Sequence, residues 1–274
     1  MPAPLDDPRA NAPRSGYTHA GFAARYDTDR PAPPPALLEL LCQFVQTPAP
    51  RLVVDLGSGT GLSTVMWAPR AQRVIGIEPL AAMRREAKAR YRLPHVSFQD
   101  GTAQHTGLPD GAADVVTCAQ SLHWMEPAST IAEVARILRP GGVFAAYDYD
   151  LVPTVHWEAE AAFAAFMTRI RHLRATHAIP PGIREWDKTD HLGRLQASGR
   201  FRYVKAVLLH HTKPCLAERW VGFALTLREV APVREWALEE ATLALETLRQ
   251  AAEHALGPDG LCWYVSYRVR VGVT

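Results

Sequence analysis

The sequence predicts an α/β fold, in which seven strands form a doubly wound, mostly parallel sheet with helices on both faces. Three observations predict it. Short apolar runs alternate with helical patterns between residues 51 and 149, which is typical of a parallel sheet. A glycine-rich turn from Asp55 to Gly61 closes the first apolar run. The last segment alternates apolar and polar side chains, as a half-exposed strand does.

The first half of the chain contains five predicted strands and the helices between them. A leucine-rich helix precedes them, and another helix is expected around residues 62–67. Two more are expected to begin at Pro79 and Pro127, because proline suits the first helical position. The Arg139-Pro140-Gly141-Gly142 stretch is expected to break the chain before the fifth strand. The predicted strands are Leu52 to Leu56, Val74 to Glu78, Val96 to Asp100, Asp114 to Ala119 and Val143 to Tyr149.

The second half departs from this regular alternation. Residues 150–200 carry a helical pattern and are predicted to be an insertion that covers the strand ends. A sixth strand is expected over Phe201 to Leu209, and a long apolar stripe from Leu238 to Ala255 is interpreted as core, or otherwise as a dimer face. The seventh strand is predicted to present five apolar side chains on one face and four more polar ones on the other: Trp263, Val265, Tyr267, Val269 and Val271 against Tyr264, Ser266, Arg268 and Arg270.

Composition and charge are those of an ordinary globular protein. Of the 274 residues 47% are hydrophobic, and a net charge of +2 gives no strong attraction to nucleic acid or an anionic membrane. The four cysteines are far apart, which favours reduced thiols over a disulfide framework or a zinc site. There is neither an apolar leader at the start nor a stretch of about 20 apolar residues. We therefore expect a cytoplasmic protein. Its oligomeric state is open between a monomer and a homodimer.

The glycine turn and one carboxylate together predict a nucleoside site. Glycine lets the backbone bend sharply and lets a ligand lie against it. A dinucleotide turn would have a glycine at position 62, where Leu62 stands, so the spacing suits a ligand without a pyrophosphate. Glu78 ends the second strand about 20 residues further on, the interval at which an acidic residue reaches ribose hydroxyls. A carboxylate can accept hydrogen bonds from two adjacent hydroxyls.

Several motifs resemble the class I S-adenosylmethionine (SAM)-dependent methyltransferases, and among them the type 11 and trans-aconitate-type group of small-molecule enzymes. The resemblance is good over residues 20–150 and general in the last third. The motifs are Val53-Val54-Asp55-Leu56-Gly57-Ser58-Gly59-Thr60-Gly61, Gly76-Ile77-Glu78-Pro79 with Met83, Gly107-Leu108-Pro109, Asp114-Val115-Val116, Gln120-Ser121-Leu122-His123-Trp124, Leu138-Arg139-Pro140-Gly141-Gly142, and upstream Phe22-Ala23-Ala24-Arg25-Tyr26.

The resemblance implies a Rossmann-like core with SAM as cofactor and S-adenosylhomocysteine as product. We expect four regions along the chain: a flexible tail over 1–16, a SAM-binding core with an N-terminal lid element over 17–149, a helical cap over 150–200, and the completion of the sheet over 201–274. Thr102 and Gln104 stand where the family often has acidic residues, so a backbone amide is expected to meet adenine instead. The implied cofactor-binding residues are Tyr26, Asp55, Gly57, Ser58, Gly59, Gly61, Glu78, Pro79, Met83, Thr102, Ala103, Ala119 and Gln120.

His123 is the best candidate for acid–base chemistry, because it follows the fourth strand and imidazole exchanges protons near neutral pH. A histidine that only shapes the pocket is the equal alternative. Trp124, Tyr147, Tyr149 and Trp157 are candidate substrate contacts, with structural packing as the competing explanation. No histidine has ligand spacing, so no catalytic metal is expected.

Two other functions compete with methyl transfer to a small-molecule acceptor. An NAD(P)-linked oxidoreductase could use the same kind of sheet, although Leu62 and the lack of a Tyr-x-x-x-Lys pair count against it. A SAM-binding protein without catalysis is the second. Methylation of nucleic-acid bases is disfavoured, because Gln120-Ser121-Leu122-His123 replaces the Asn/Asp-Pro-Pro-Tyr/Phe motif of such enzymes and no strong basic stripe is present.

Overall fold

A computed structural model describes residues 28–179 and 185–274 of the chain. The predicted tail over 1–16, Tyr26 and the rest of the motif around it lie outside the described residues. In the described part no helix combines the length and the apolar character that a membrane crossing needs. Nor do these residues bring together three or more histidine, cysteine or acidic side chains in a group that could hold a metal ion.

Seven strands form one sheet in the order β3-β2-β1-β4-β5-β7-β6. Neighbouring strands among the first five are parallel, whereas β7 is antiparallel to both β5 and β6 and lies between them. The predicted mostly parallel, doubly wound sheet is confirmed. The strands are β1 Leu52–Leu56, β2 Arg73–Ile77, β3 Val96–Gln99, β4 Ala113–Ala119, β5 Leu138–Tyr149, β6 Tyr203–Cys215 and β7 Leu261–Val273.

The helices lie where the apolar periodicity predicts most of them. Two short 3₁₀ turns, Leu122–Trp124 and Lys188–Asp190, also matter for the site. The helices are α1 Pro35–Phe44, α2 Leu62–Val65, α3 Ala81–Arg90, α4 Pro127–Ile137, α5 Trp157–Thr176, α6 His191–Ala197, α7 Ala217–Leu225, α8 Val230–Trp236 and α9 Leu238–Leu256.

Both faces of the sheet are buried, because successive residues of the central strands enter two different apolar cores. Val53 of β1 belongs to one core and its neighbour Val54 to the other, and the same holds for Val143 and Phe144 of β5. The first core also contains α1, α5, α7, α8 and α9, and the second contains α4 and one side chain of α6. The structure is therefore a three-layer sandwich, as helices on both faces of a parallel sheet require.

Four local expectations are corrected. The fifth strand begins at Leu138, because the Arg139–Gly142 stretch pairs with the chain end: Gly141 N donates to Thr274 O at 3.2 Å and Thr274 N to Gly142 O at 3.1 Å. Pro79 precedes its helix, whose N-cap is Leu80. The sixth strand continues to Cys215. Along β7 the predicted alternation of buried and more exposed side chains is found from Trp263 to Arg268. Arg270 is the exception on the polar face: it is only 4% exposed, and it donates to Asp148 Oδ2 and Lys188 O.

The apolar stripe of α9 packs into the core at its central residues, as predicted. Ala241, Leu248 and Ala252 are buried in the core that also contains α5 and α7, whereas Leu238 at the first turn is 60% exposed. The four described cysteines are all free thiols, and three of them are buried.

Candidate functional site

The glycine turn after β1 is a tight bend at the carboxyl edge of the sheet. Gly57, Gly59 and Gly61 have positive φ angles of 66°, 54° and 91°. Residues other than glycine rarely adopt this backbone conformation. The Gly57 and Ser58 amides donate to Ile77 O at 2.8 and 3.1 Å, which fixes the bend against the end of β2. A Cβ on Gly57 would lie 2.8 Å from the side chain of Ser121, whereas one on Gly59 would meet nothing within 4 Å. The bend is thus closed behind Gly57 and open at Gly59.

The carboxylate of Glu78 lies directly against this bend. Its Oε2 accepts from the Gly59 amide at 2.9 Å and its Oε1 from the Leu80 amide, also at 2.9 Å. Burial raises the pKa of Glu78, and these two backbone hydrogen bonds oppose that effect together with the charge of Arg84. Each carboxylate oxygen can accept a second hydrogen bond. The carboxylate is therefore held in place while it keeps acceptor capacity for a ligand.

Asp55 is buried beneath the bend, at the end of β1. Thr64 Oγ1 donates to Asp55 Oδ2 at 2.7 Å, and Thr117 Oγ1 donates to Oδ1 at 2.8 Å. Burial raises the pKa of Asp55 to about 6, although the two threonine hydrogen bonds favour the ionised form. Asp55 therefore ties the bend to α2 on one side and to β4 on the other.

The other predicted cofactor residues lie at the neighbouring strand ends. Thr102 and Ala103 follow β3, which pairs with β2, and the Thr102 amide already donates to His105 O at 3.2 Å. Ala119 ends β4, which pairs with β1. Gln120 follows with φ 51°, an unusual value for a residue with a side chain. The carboxyl ends of the four strands β3, β2, β1 and β4 are consecutive in the sheet, so these residues share one edge.

Three further predicted cofactor residues lie in the bend or follow Glu78 in the chain. Ser58 is buried, and its hydroxyl would contact a Cβ placed on Gly76. Pro79 continues the chain from Glu78, and Met83 on α3 is 5% exposed. The roles in cofactor binding that the resemblance assigns to these three residues stay predictions.

His123 lies in a second, charged cluster past the end of β4. It is 4% exposed, and its Nδ1 is 3.6 Å from Asp148 Oδ1. Asp148 Oδ2 accepts from Arg270 Nη1 at 2.6 Å, and Lys188 Nζ is 3.4 Å from Oδ1. Lys188 Nζ also donates to Gln120 Oε1 at 3.0 Å, which joins this cluster to the predicted cofactor residues.

The two central groups of this cluster have strongly shifted pKa values. Burial lowers the pKa of His123 to about 4, more than the neighbouring Asp148 raises it, so the imidazole is neutral at pH 7. Burial alone would raise the pKa of Asp148, but its His123, Lys188 and Arg270 neighbours hold it well below its ordinary value. A neutral imidazole thus faces a carboxylate that stays ionised.

The four aromatic candidates lie in different environments. Tyr147 is 1% exposed and its hydroxyl shares a short hydrogen bond with Ser63. Tyr149 is buried against Phe223 and Tyr267 of the first core. Trp157, at the start of α5, is 73% exposed.

Trp124 is the aromatic candidate beside the charged cluster. Its ring centroid is 4.4 Å from that of His123, and the Arg228 guanidinium lies 4.7 Å from its ring centroid. Tyr147 and Tyr149 are thus buried and Trp157 is exposed, whereas Trp124 lies beside His123. The substrate contacts of all four stay predictions.

Sequence reasoning missed the charged partners of His123. Asp148 is an isolated acid in the apolar strand β5, a signal that could have been noticed, since a buried carboxylate needs partners. Arg270 was assigned to an exposed face, and Lys188 follows the undescribed residues 180–184 with no motif around it. These residues are 25 or more positions from His123 in sequence, so only the fold brings them together.

Comparison with known proteins gives a family for the central part of the chain. Residues 54–146 match the Methyltransf_11 model, which is described as a methyltransferase domain. An uncharacterized methyltransferase from Mycobacterium tuberculosis is 39% identical over 117 residues, which cover 43% of this chain and 46% of that protein. A probable S-adenosylmethionine-dependent methyltransferase of Saccharomyces cerevisiae is 29% identical over 143 residues, which cover 50% of this chain and 49% of that protein. The matched region therefore spans about half the length of these curated relatives.

A solved structure extends the similarity to most of the chain. A protein from Anaeromyxobacter dehalogenans, provisionally described as a type II methyltransferase, superposes with a TM-score of 0.65 at 26% identity and covers 89% of this chain and 97% of its own. The glycine bend, Asp55 and Glu78 all fall within the matched residues 54–146. Residues 54–146 thus form a methyltransferase domain, and the similarity of fold to a solved methyltransferase structure extends over most of the chain.

Proposed function

We propose that this protein transfers the methyl group of SAM to a small-molecule acceptor, with S-adenosylhomocysteine as the second product. One observation carries the proposal: the Glu78 carboxylate lies in hydrogen-bond contact with the Gly59 amide, at the open side of the glycine bend. A carboxylate at such a bend can accept hydrogen bonds from the two ribose hydroxyls of an adenosyl group.

The residues around the bend fit the parts of such a cofactor. The open space at Gly59 would admit the adenosyl group against the backbone. Asp55 orders the turn and would favour the cationic amino group of the methionine part. Because the Thr102 amide is already used by His105, the Ala103 amide is the donor that we propose for adenine.

The proposed reaction requires little covalent chemistry from the protein. SAM, when bound, supplies an electrophilic methyl carbon on a sulfonium, which the acceptor would attack in line while the sulfur leaves as S-adenosylhomocysteine. The chain's own residues would contribute positioning and the exclusion of water. A base is needed only if the acceptor carries a proton on the attacking atom. His123 is neutral at pH 7 and can take that role or contact the substrate.

A small acceptor is favoured over a nucleic acid by the residues after β4. The segment Gln120-Ser121-Leu122-His123 lacks the prolines and the aromatic residue that hold a flipped base amine in base methyltransferases. The net charge of +2 over 274 residues also gives little attraction to a polyanion. The half-buried Trp124 beside His123 could contact an apolar part of the acceptor.

A thermal-shift panel with SAM, S-adenosylhomocysteine, NAD and NADP tests the proposal. At about 100 times its Kd a ligand stabilises the folded state by about 2.7 kcal/mol, which corresponds to roughly 5–10 °C in Tm for a chain of this size. We expect this shift with the two sulfur nucleosides only. A shift with NAD or NADP alone would identify an oxidoreductase instead. Methyl transfer from labelled SAM to a panel of metabolites then separates an enzyme from a SAM-binding protein.

A further inference from the structure

The imidazole of His123 carries a buried nitrogen whose hydrogen bond is incomplete. Within the described part of the chain, His123 Nδ1 has no hydrogen-bond partner, yet Asp148 Oδ1 lies 3.6 Å away. A buried polar atom without a partner costs about 1–3 kcal/mol. Shortening this separation by about 0.5 Å would give an ordinary hydrogen bond. Catalytic hydrogen bonds are often long without substrate and tighten when it binds.

The carboxylate of Asp148 is held in a fixed position next to His123. Arg270 Nη1 donates to Oδ2 at 2.6 Å, which leaves Oδ1 directed between His123 and Lys188 Nζ. Asp148 and Arg270 are each 4% exposed, and they lie on the adjacent strands β5 and β7. Two inner strands therefore fix the position of the carboxylate.

The segment over residues 185–190 fixes the other side of His123. Trp186 N donates to His123 O at 2.8 Å, and Arg270 Nη2 donates to Lys188 O at 3.0 Å. Lys188 Nζ reaches back to Gln120 Oε1 at 3.0 Å. The backbone around His123 is thus clamped between the end of β4 and this segment. The tautomer and the small ring movements of His123 remain to be decided by Asp148.

We propose that Asp148 is the positioning residue of His123: it keeps the imidazole proton on Nδ1 and so leaves Nε2 as the proton acceptor of the site. The last part rests on the proposed function. During methyl transfer the acceptor's O–H or N–H proton would pass to Nε2 as the bond from its heteroatom to the methyl carbon forms and the carbon–sulfur bond breaks. The Nδ1 proton stays with His123, and Asp148 balances the positive charge of the imidazolium.

The charged groups around His123 explain why a counter-charge is needed. Lys188 from the 3₁₀ turn, Arg30 from the segment before α1 and His191 from α6 all act on His123 or are acted on by it. Lys188 and Arg30 oppose a positive imidazole, and Asp148 is the one group among these causes that favours it. Without Asp148, a proton on His123 would be opposed by burial and by both cations.

The first test is the tautomer of His123 in the wild-type protein, measured by ¹⁵N NMR at pH 7 and assigned with His123→Gln. We expect the proton on Nδ1. In Asp148→Asn the amide can donate to Nδ1, so the proton should move to Nε2. Asp150→Asn is the matched control, because Asp150 follows the same strand but is exposed and pairs with Arg268 at 3.3 Å. A wild-type proton on Nε2 overturns the proposal, even if Asp148→Asn does not fold.

Kinetics with an accepted substrate provide the second test. We expect Asp148→Asn to lower kcat about 10²-fold and to leave the Kd for SAM within about twofold, with Asp150→Asn unchanged in both. Equal losses in kcat and SAM affinity would contradict a positioning role. The tautomer measurement does not depend on activity. A protein that SAM fails to stabilise would therefore refute the proposed function while the pairing of Asp148 with His123 is judged separately.

Discussion

Gly59 offers the sharpest test of the proposed cofactor site, because the structure separates backbone strain from ligand contact. In Gly59→Ala the added Cβ would meet no atom within 4 Å, and the only intrinsic penalty is a φ of 54°. Alanine in this region costs about 1–2 kcal/mol. Gly199, after α6, has φ 64° and also nothing within 4 Å of its would-be Cβ. Gly199→Ala is thus a control with the same strain outside the proposed site.

The two substitutions should differ only in their effect on the cofactor. Both should lower the free energy of unfolding by about 1–2 kcal/mol, measured by urea denaturation. In Gly59→Ala the new methyl group would occupy the space proposed for the adenosyl group and push the ribose away from Glu78. A hydrogen bond to a charged group contributes about 1.5–3 kcal/mol, so losing one should weaken SAM binding roughly 10- to 100-fold.

Isothermal titration of SAM into the two variants measures this difference. We expect Gly199→Ala to bind SAM like the wild type. If Gly59→Ala also keeps wild-type affinity while showing the predicted loss of stability, the space at Gly59 is not the adenosyl site. The reasoning from the bend would then be refuted, whatever the enzyme's activity.

Three further predictions concern the charged residues. His123→Ala should lower turnover about 10²-fold or more with little change in SAM affinity, and equal losses in both would assign His123 to the cofactor or the fold. Burial raises the pKa of Asp55 to about 6, so the ionised carboxylate that would favour the cofactor's amino group is lost as the pH falls through about 6. SAM affinity, measured by calorimetry across this pH range, should therefore weaken in acid. Asp55→Asn should bind SAM weakly at every pH. Asp114 accepts from Arg139 Nε at 2.5 Å and is 3% exposed, so Asp114→Asn should lower the free energy of unfolding by about 2–3 kcal/mol; Asp110→Asn, at an 83% exposed side chain, should cost less than about 1 kcal/mol in the same urea titration.

Much of the fold could be predicted because it is recorded in local patterns. The strand–helix alternation gave the parallel part of the sheet, and the spacing of Asp55, the glycines and Glu78 gave the cofactor side of the site. The residues of the cofactor side lie within one βαβ unit, whose two strands β1 and β2 pair directly in the sheet. The contact of Glu78 with the Gly59 amide follows from that adjacency.

The acceptor side could not be predicted in the same way. His123, Asp148, Lys188 and Arg270 come from β4's end, β5, the segment before α6 and β7, and no local spacing relates them. Alternation along β7 correctly gave its two faces, but it could not show that the strand lies between β5 and β6. Nor could it show that Arg270 alone on the polar face is buried, because the contacts with Asp148 and with the backbone of Lys188 come from other parts of the chain.

The class of sheet, the glycine bend and the carboxylate that follows β2 could be predicted from the sequence, since each depends on residues close together in the chain. The environment of His123 could not, because it exists only in the assembled fold. A side chain's protonation depends on burial and on charges within a few ångströms, and here those charges belong to strands and turns that are brought together only when the sheet is complete.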